Sequence, residues 1–171
     1  MTDVPNSRWR RLCLITVPAI IIVGDVIGVL SQSGFRNPWF AALVKPFFMP
    51  PGWAFGVAWN ILYALMGISL AMVLAEPASP RRKLALILFF VQLALNYAWS
   101  PIFFLGHDIG LAKVVIFVMA AIAAGAAGQF MRIRKPAGLL LIPYLAWLVF
   151  AATLNSTIGT LNPGAGTSLL G

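Results

Sequence analysis

Three short runs place aromatic and amide side chains on shared helical faces. In QLALNYAWSPIFF, Gln92, Asn96 and Trp99 fall at i, i+4 and i+7. In GWAFGVAWNILY, Trp59 and Tyr63 lie one turn apart, with Phe55 and Gly56 nearby. In PYLAWLVFAATLN, Tyr144, Trp147 and Ala151 form a stripe that Leu154 and Asn155 continue. Residues three and four apart are neighbours on a helix surface. A wall of aromatics with a polar contact from Asn96 suits a flat apolar ligand. The competing use is packing. An Asn or Gln inside a membrane bundle hydrogen-bonds its neighbours for about 0.6–2 kcal/mol per contact, and small Ala151 and Ala152 let another helix approach closely. Periodicity alone leaves both uses open.

Other chemistries find little support. No Ser/His/Asp set, Cys/His pair or carboxylate dyad sits together in one span, and no nucleotide motif is present. A hydrolase or ATPase is not expected. With one His and one Cys, a dedicated His/Cys metal site is not expected either. The one carboxylate within a span is Asp25, which should face the bundle because a charge at depth costs a few kcal/mol. Antiparallel counting puts it on the same membrane side as Lys113, so an Asp25–Lys113 pair, or a contact to His107, is expected; a polar residue lining a wet pocket is the competing reading.

The elements that must position these residues are apolar. The chain of 171 residues is 61% hydrophobic and 9% charged, with mean hydropathy +0.93. A soluble domain carries roughly a quarter charged residues, so the fold class is an all-α membrane protein. Five spans are expected, at about 12–30, 53–75, 84–104, 109–131 and 137–158. Each is close to the roughly 20 residues that cross hydrocarbon. The arginines before the first span resemble the start of a signal peptide, but the apolar run is too long and no cleavage site follows, so it reads as a retained helix. Ala120, Ala124 and Gly128 form a small-xxx-small stripe that serves packing within the monomer or a dimer seam. The tail, 159–171, is polar and rich in Gly, and is expected to fray. The whole chain reads as one domain.

Between the first two spans lies the loop 31–52. The stretch Trp39–Tyr63 that contains its second half carries three of the six Trp, three Pro and four Phe. Pro46, Pro50 and Pro51 restrict the backbone. Together with Trp39, Lys45 and Trp53 they suggest a lid over a pocket rather than a passive linker. Trp39 and Trp53 also fit an interfacial aromatic belt.

The net charge of +8 would suggest nucleic acid in a soluble protein, but here it reads as topology. Nine basic residues (Arg8, Arg10, Arg11, Arg81, Arg82, Lys83, Arg132, Arg134, Lys135) fall on one side of a five-span chain. Three (Arg36, Lys45, Lys113) fall on the other. The positive-inside rule then puts the N-terminus in the cytoplasm, and the loop and C-terminus outside, in a bacterial cell membrane.

WFAALVKPFFMPPGWAFGVAWNILYALMG, QLALNYAWSPIFF and PYLAWLVFAATLN, in this order, resemble the TspO/MBR family. This family comprises bacterial tryptophan-rich sensory proteins and the mitochondrial translocator protein, or peripheral benzodiazepine receptor. The resemblance implies a five-transmembrane-helix bundle, frequent homodimers and a pocket beneath the first loop. The family's ligands are porphyrins such as protoporphyrin IX and haem, besides isoquinoline and benzodiazepine drugs. By position, the pocket would take Phe55, Gly56, Trp59, Asn96, Trp99, Trp147, Ala151 and Leu154. Trp59 and Trp147 match tryptophans linked in the family to light-dependent porphyrin breakdown. Several positions depart from the pattern. Phe47 and Phe48 stand where an aromatic-Trp pair is common, and Leu111 replaces a family Trp. Ser156 and Thr157 follow Leu154-Asn155 where sterol-associated residues would stand, which argues against strong cholesterol binding.

The function expected on this footing is an integral membrane receptor or binding protein for porphyrins, regulating tetrapyrrole or stress responses. Trp59, Trp99 and Trp147 would stack on the ligand ring, with no cofactor required. The alternatives are a light-dependent porphyrin-degrading enzyme, with Trp59 and Trp147 as redox partners, and a tetrapyrrole transporter. The absence of inverted repeats argues against alternating access.

Overall fold

Apolar runs of this length can satisfy their backbone in a bilayer only as helices or as a closed barrel, and here they are helices. The computed structural model describes residues 7–166. The elements are α1 (Ser7–Leu30), α2 (Pro38–Ala42), α3 (Gly52–Ala75), α4 (Pro80–Phe104), α5 (Ile109–Ile133), α6 (Lys135–Leu139) and α7 (Ile142–Leu161). Among the described residues, five spans are long and apolar enough to cross a membrane: Arg8–Leu30, Gly52–Ala75, Pro80–Phe104, Ile109–Ile133 and Lys135–Leu161. The protein is a five-helix integral membrane bundle. Its outward faces carry exposed Leu14, Ile15, Val29, Phe117 and Val149, which meet lipid.

Each expected span is present, and the differences lie at the ends. α1 begins at Ser7 and α4 at Pro80, so the basic clusters Arg8–Arg11 and Arg81–Lys83 are helical. Long basic side chains can snorkel to the interface from a helix end, so a charge run does not stop the helix. Ser79 caps α4 by accepting a hydrogen bond from Arg82 N at 3.1 Å. The fifth span is broken at residues 140–141 into α6 and α7. The tail does not fray from Gly159. The helix continues to Leu161, and Asn162 and Ala165 bond to the loop. Residues 167–171 of that expected tail lie outside the described residues.

α1 packs along α3, and α4 packs along α5, which also contacts α7. The α1–α3 seam brings backbone close to backbone at Gly67. A Cβ there would lie 2.6 Å from Val17 Cα, and Thr16 Oγ1 donates to Gly67 O at 2.8 Å. Because the obstruction is backbone, Gly67→Ala must push α1 away from α3. Overpacking of this kind costs roughly 1–3 kcal/mol, so we expect the apparent Tm in detergent to fall by several degrees. A thermal scan that matches wild type would show that the seam is looser than described. Further along, the helices separate. A Cβ on Gly28 or Gly56 would meet nothing within 4 Å, and the space between them opens into the cavity described next.

Candidate functional site

Between the α1–α3 pair and the α4–α5–α7 group lies a cavity of about 1080 Å³. It is slightly larger than the roughly 300–1,000 Å³ of small-molecule sites. All eight residues singled out from the sequence line it: Phe55, Gly56 and Trp59 from α3, Asn96 and Trp99 from α4, Trp147, Ala151 and Leu154 from α7. They converge because each sits on the inward stripe of its helix, and α3, α4 and α7 turn those stripes toward one another.

The aromatic wall has a definite geometry. Trp59 and Trp147 meet edge to face, with centroids 6.0 Å apart and planes at 78°. Phe55 meets Trp147 in the same manner at 5.9 Å and 76°. Trp99 is stacked on Phe103 at 5.0 Å and 14°. This corrects the expectation that three tryptophans stack together on one ring. A flat ligand lying against Trp59 presents its edge to Trp147, or the reverse, and one face of Trp99 is already covered. The indole Nε1 of Trp99 is buried and has no hydrogen-bond partner in the structure. Leaving that donor unpaired costs about 1–3 kcal/mol.

The amide face splits along α4. Gln92 is buried in the helical core and does not line the cavity. Asn96 bridges two tyrosines: Tyr63 Oη donates to its Oδ1 at 2.9 Å, and its Nδ2 donates to Tyr144 Oη at 3.2 Å. Side chains from α3, α4 and α7 are thereby tied together beside the cavity. In this structure Asn96 does the packing job, with one amide hydrogen and one lone pair left over.

The loop covers the cavity, but mostly through residues other than those expected. Of the six lid residues, Trp53 lines the cavity, and Trp39, Lys45, Pro46, Pro50 and Pro51 do not. Phe35, Arg36, Phe40 and Met49 supply the lining instead. The expected residues hold the loop in place. Trp39 stacks on His107 at 4.4 Å and donates Nε1 to Ala165 O at 2.9 Å. Lys45 Nζ donates to the carbonyls of Phe40 (2.6 Å), Ala41 (3.0 Å) and Leu43 (2.7 Å), closing the end of α2. Burial pulls its ammonium below the ordinary lysine pKa. Pro46 accepts from Met49 N at 3.0 Å in a turn, and Pro51 precedes α3 as its N-cap residue.

Two anchors escaped the sequence reading. Asn37 caps α2 through Phe40 N (3.0 Å) and donates to Phe104 O at the end of α4 (3.0 Å). The Asn-Pro dipeptide was the available signal, because Asn is a preferred N-cap and Pro a preferred first helical residue. Asn162 pairs with the backbone of Val44 in both directions at 2.8 Å, and nothing local in the sequence marks that long-range contact.

The expected Asp25–Lys113 pair is absent. Among the described residues the one ion pair is Arg134–Glu76 at 3.3 Å. Asp25 lines the large cavity, whereas Lys113 lines a separate hollow of about 370 Å³ beside the start of α5. His107 faces Trp39 instead. Counting spans places residues on a membrane side but leaves their angular position around the bundle open, and that angle separates these two.

Residues 14–161 match the TspO/MBR family. The chain belongs to that family. It is 42% identical over 160 residues to the tryptophan-rich protein TspO of Chlorobaculum tepidum, covering 84% of this chain and 98% of that protein. It is 39% identical over 144 residues to the human translocator protein, with 83% and 85% covered. It is 35% identical over 127 residues to the protein CrtK of Rhodobacter capsulatus, with 74% and 79% covered. The matched segment spans all five transmembrane helices, so the cavity and its loop lie within the family's shared part.

Proposed function

We propose that this protein is a membrane receptor for planar, largely apolar ligands of the porphyrin class, held in the cavity beneath the loop. The observation that carries the proposal is the corner formed by Trp59 and Trp147 in a large cavity walled by aromatics. One face of the corner supports the flat ring and the other meets its edge, as the quadrupoles of aromatic rings favour. The basic end of the bundle, with nine Lys and Arg against three, favours a cytoplasmic N-terminus and an outward loop in a bacterial membrane. A homodimer, with lipid around it, is the assembly that family membership suggests.

A dark titration of purified protein with protoporphyrin IX, followed by tryptophan fluorescence, tests the proposal. Saturable quenching is expected, because four tryptophans line the cavity. Quenching that rises linearly with porphyrin and never saturates would contradict it.

A second reading is favoured by the same corner. Trp147, Trp59 and Tyr63 form a chain of oxidisable rings with centroids 6.0 and 5.3 Å apart, which suits a light-dependent porphyrin-degrading activity. Illumination separates the two. An absorbing product that forms in wild type and fails to form in Trp59→Phe, with binding retained, would make the protein an enzyme. Binding with no product in wild type leaves the receptor.

A further inference from the structure

The cavity wall carries two charges, and they are opposite and not paired with each other. Asp25 lies on the loop-proximal half of α1, and Arg36 lies in the loop above it. Arg36 is the single Lys or Arg among the lining residues, and Asp25 the single carboxylate. Both are exposed rather than sunk in the core. The backbone on either side of Arg36 is fixed. Ser33 Oγ lies 2.6 Å from Ser100 Oγ, and Asn37 Nδ2 donates to Phe104 O at 3.0 Å. The turn between them is closed by Asn37 N donating to Gly34 O at 3.1 Å, with Gly34 at φ +102°. A guanidinium carried by a pinned turn at the rim of an apolar cavity suits an anion, since its planar fork matches a carboxylate.

We infer that Arg36 makes the cavity selective for ligands that carry a carboxylate, with the carboxylate held at the loop-side rim and the ring inside. This rests on the porphyrin-class reading and names its acid group as the feature recognised. Asp25 works against the same group. A ligand carboxylate near the α1 wall meets a like charge, so Asp25 turns the acid end of the ligand toward Arg36. The pair therefore sets orientation as well as preference. Carboxylates ionise far below neutral pH, so the recognised form is the anion.

The test compares protoporphyrin IX with its dimethyl ester, which keeps the ring and loses both negative charges. Titrations use wild type, Arg36→Gln and Asp25→Asn in the same detergent. For a charge-assisted bond at a partly solvated rim, wild type should prefer the diacid by about threefold to tenfold. Arg36→Gln should remove that preference by weakening the diacid alone. Asp25→Asn should strengthen the diacid and leave the ester unchanged. An unchanged diacid-to-ester ratio in Arg36→Gln overturns the inference while porphyrin binding stands. An equal loss for both ligands in Arg36→Gln also overturns it, because the arginine would then be holding the loop rather than reading the acid. Failure of wild type to bind either porphyrin saturably overturns the parent proposal, and this one with it.

Discussion

Trp59→Ala is expected to weaken protoporphyrin IX binding at least tenfold while the bundle stays folded. Trp59 is half-buried and stands at the centre of the aromatic wall, 6.0 Å from Trp147 and 5.3 Å from Tyr63 by ring centroids. Removing it takes away one face of the corner. Loss of the buried indole surface and of its ring contacts is worth about 2–3 kcal/mol, and every 1.4 kcal/mol is about tenfold in affinity. The fold should survive, because Trp59 is only partly buried and borders the cavity. Trp59→Phe keeps a smaller aromatic face and should recover part of the loss. Fluorescence quenching of the remaining tryptophans measures both. An affinity for Trp59→Ala within twofold of wild type would place the ligand elsewhere.

The largest effect on stability is expected at Asn96. Its side chain is 5% exposed and satisfies Tyr63 on one side and Tyr144 on the other. Asn96→Leu leaves two buried hydroxyls without their partner. Each unmade bond costs roughly 1–3 kcal/mol, so a total near 3 kcal/mol is expected, or about 5–10 °C in Tm. Tyr63→Phe should cost less, because Asn96 keeps Tyr144 and only one amide lone pair is stranded. Thermal unfolding of the two variants side by side gives the order. Asn96→Leu as stable as wild type, with Tyr63→Phe destabilised, would show that the amide does not hold the two tyrosines together.

The legibility of this chain follows from which physics acts locally. Five apolar runs and their basic flanks announced the bundle, because hydrocarbon thickness and the cost of charge act on each segment separately. The inward stripes of α3, α4 and α7 were legible for a related reason. Trp, Tyr and Asn are costly or wasted against lipid, so their periodicity marks the face that meets other helices. What resisted reading depends on angles between helices and on contacts far apart in sequence. The Asp25–Lys113 pairing needed the rotation of α1 relative to α5. The division of labour in the loop needed the position of Asn162, 118 residues from its partner Val44. Gln92 and Asn96 share a helix face, yet one is core and the other lines the cavity, because the cavity ends between them. Arg36 was counted as a topology charge, and only the folded loop shows it on the cavity wall.

On the proposed function, the cavity holds a porphyrin in one fixed orientation. Circular dichroism in the Soret band tests it most directly, since an achiral porphyrin gains a signal there only when an asymmetric site fixes it. Wild type should induce a saturable Soret signal. Ala151→Phe, which places a ring in the cavity wall beside Trp147, should abolish most of it. A Soret signal that persists at full strength in Ala151→Phe, or is absent from wild type that quenches fully, would contradict the account.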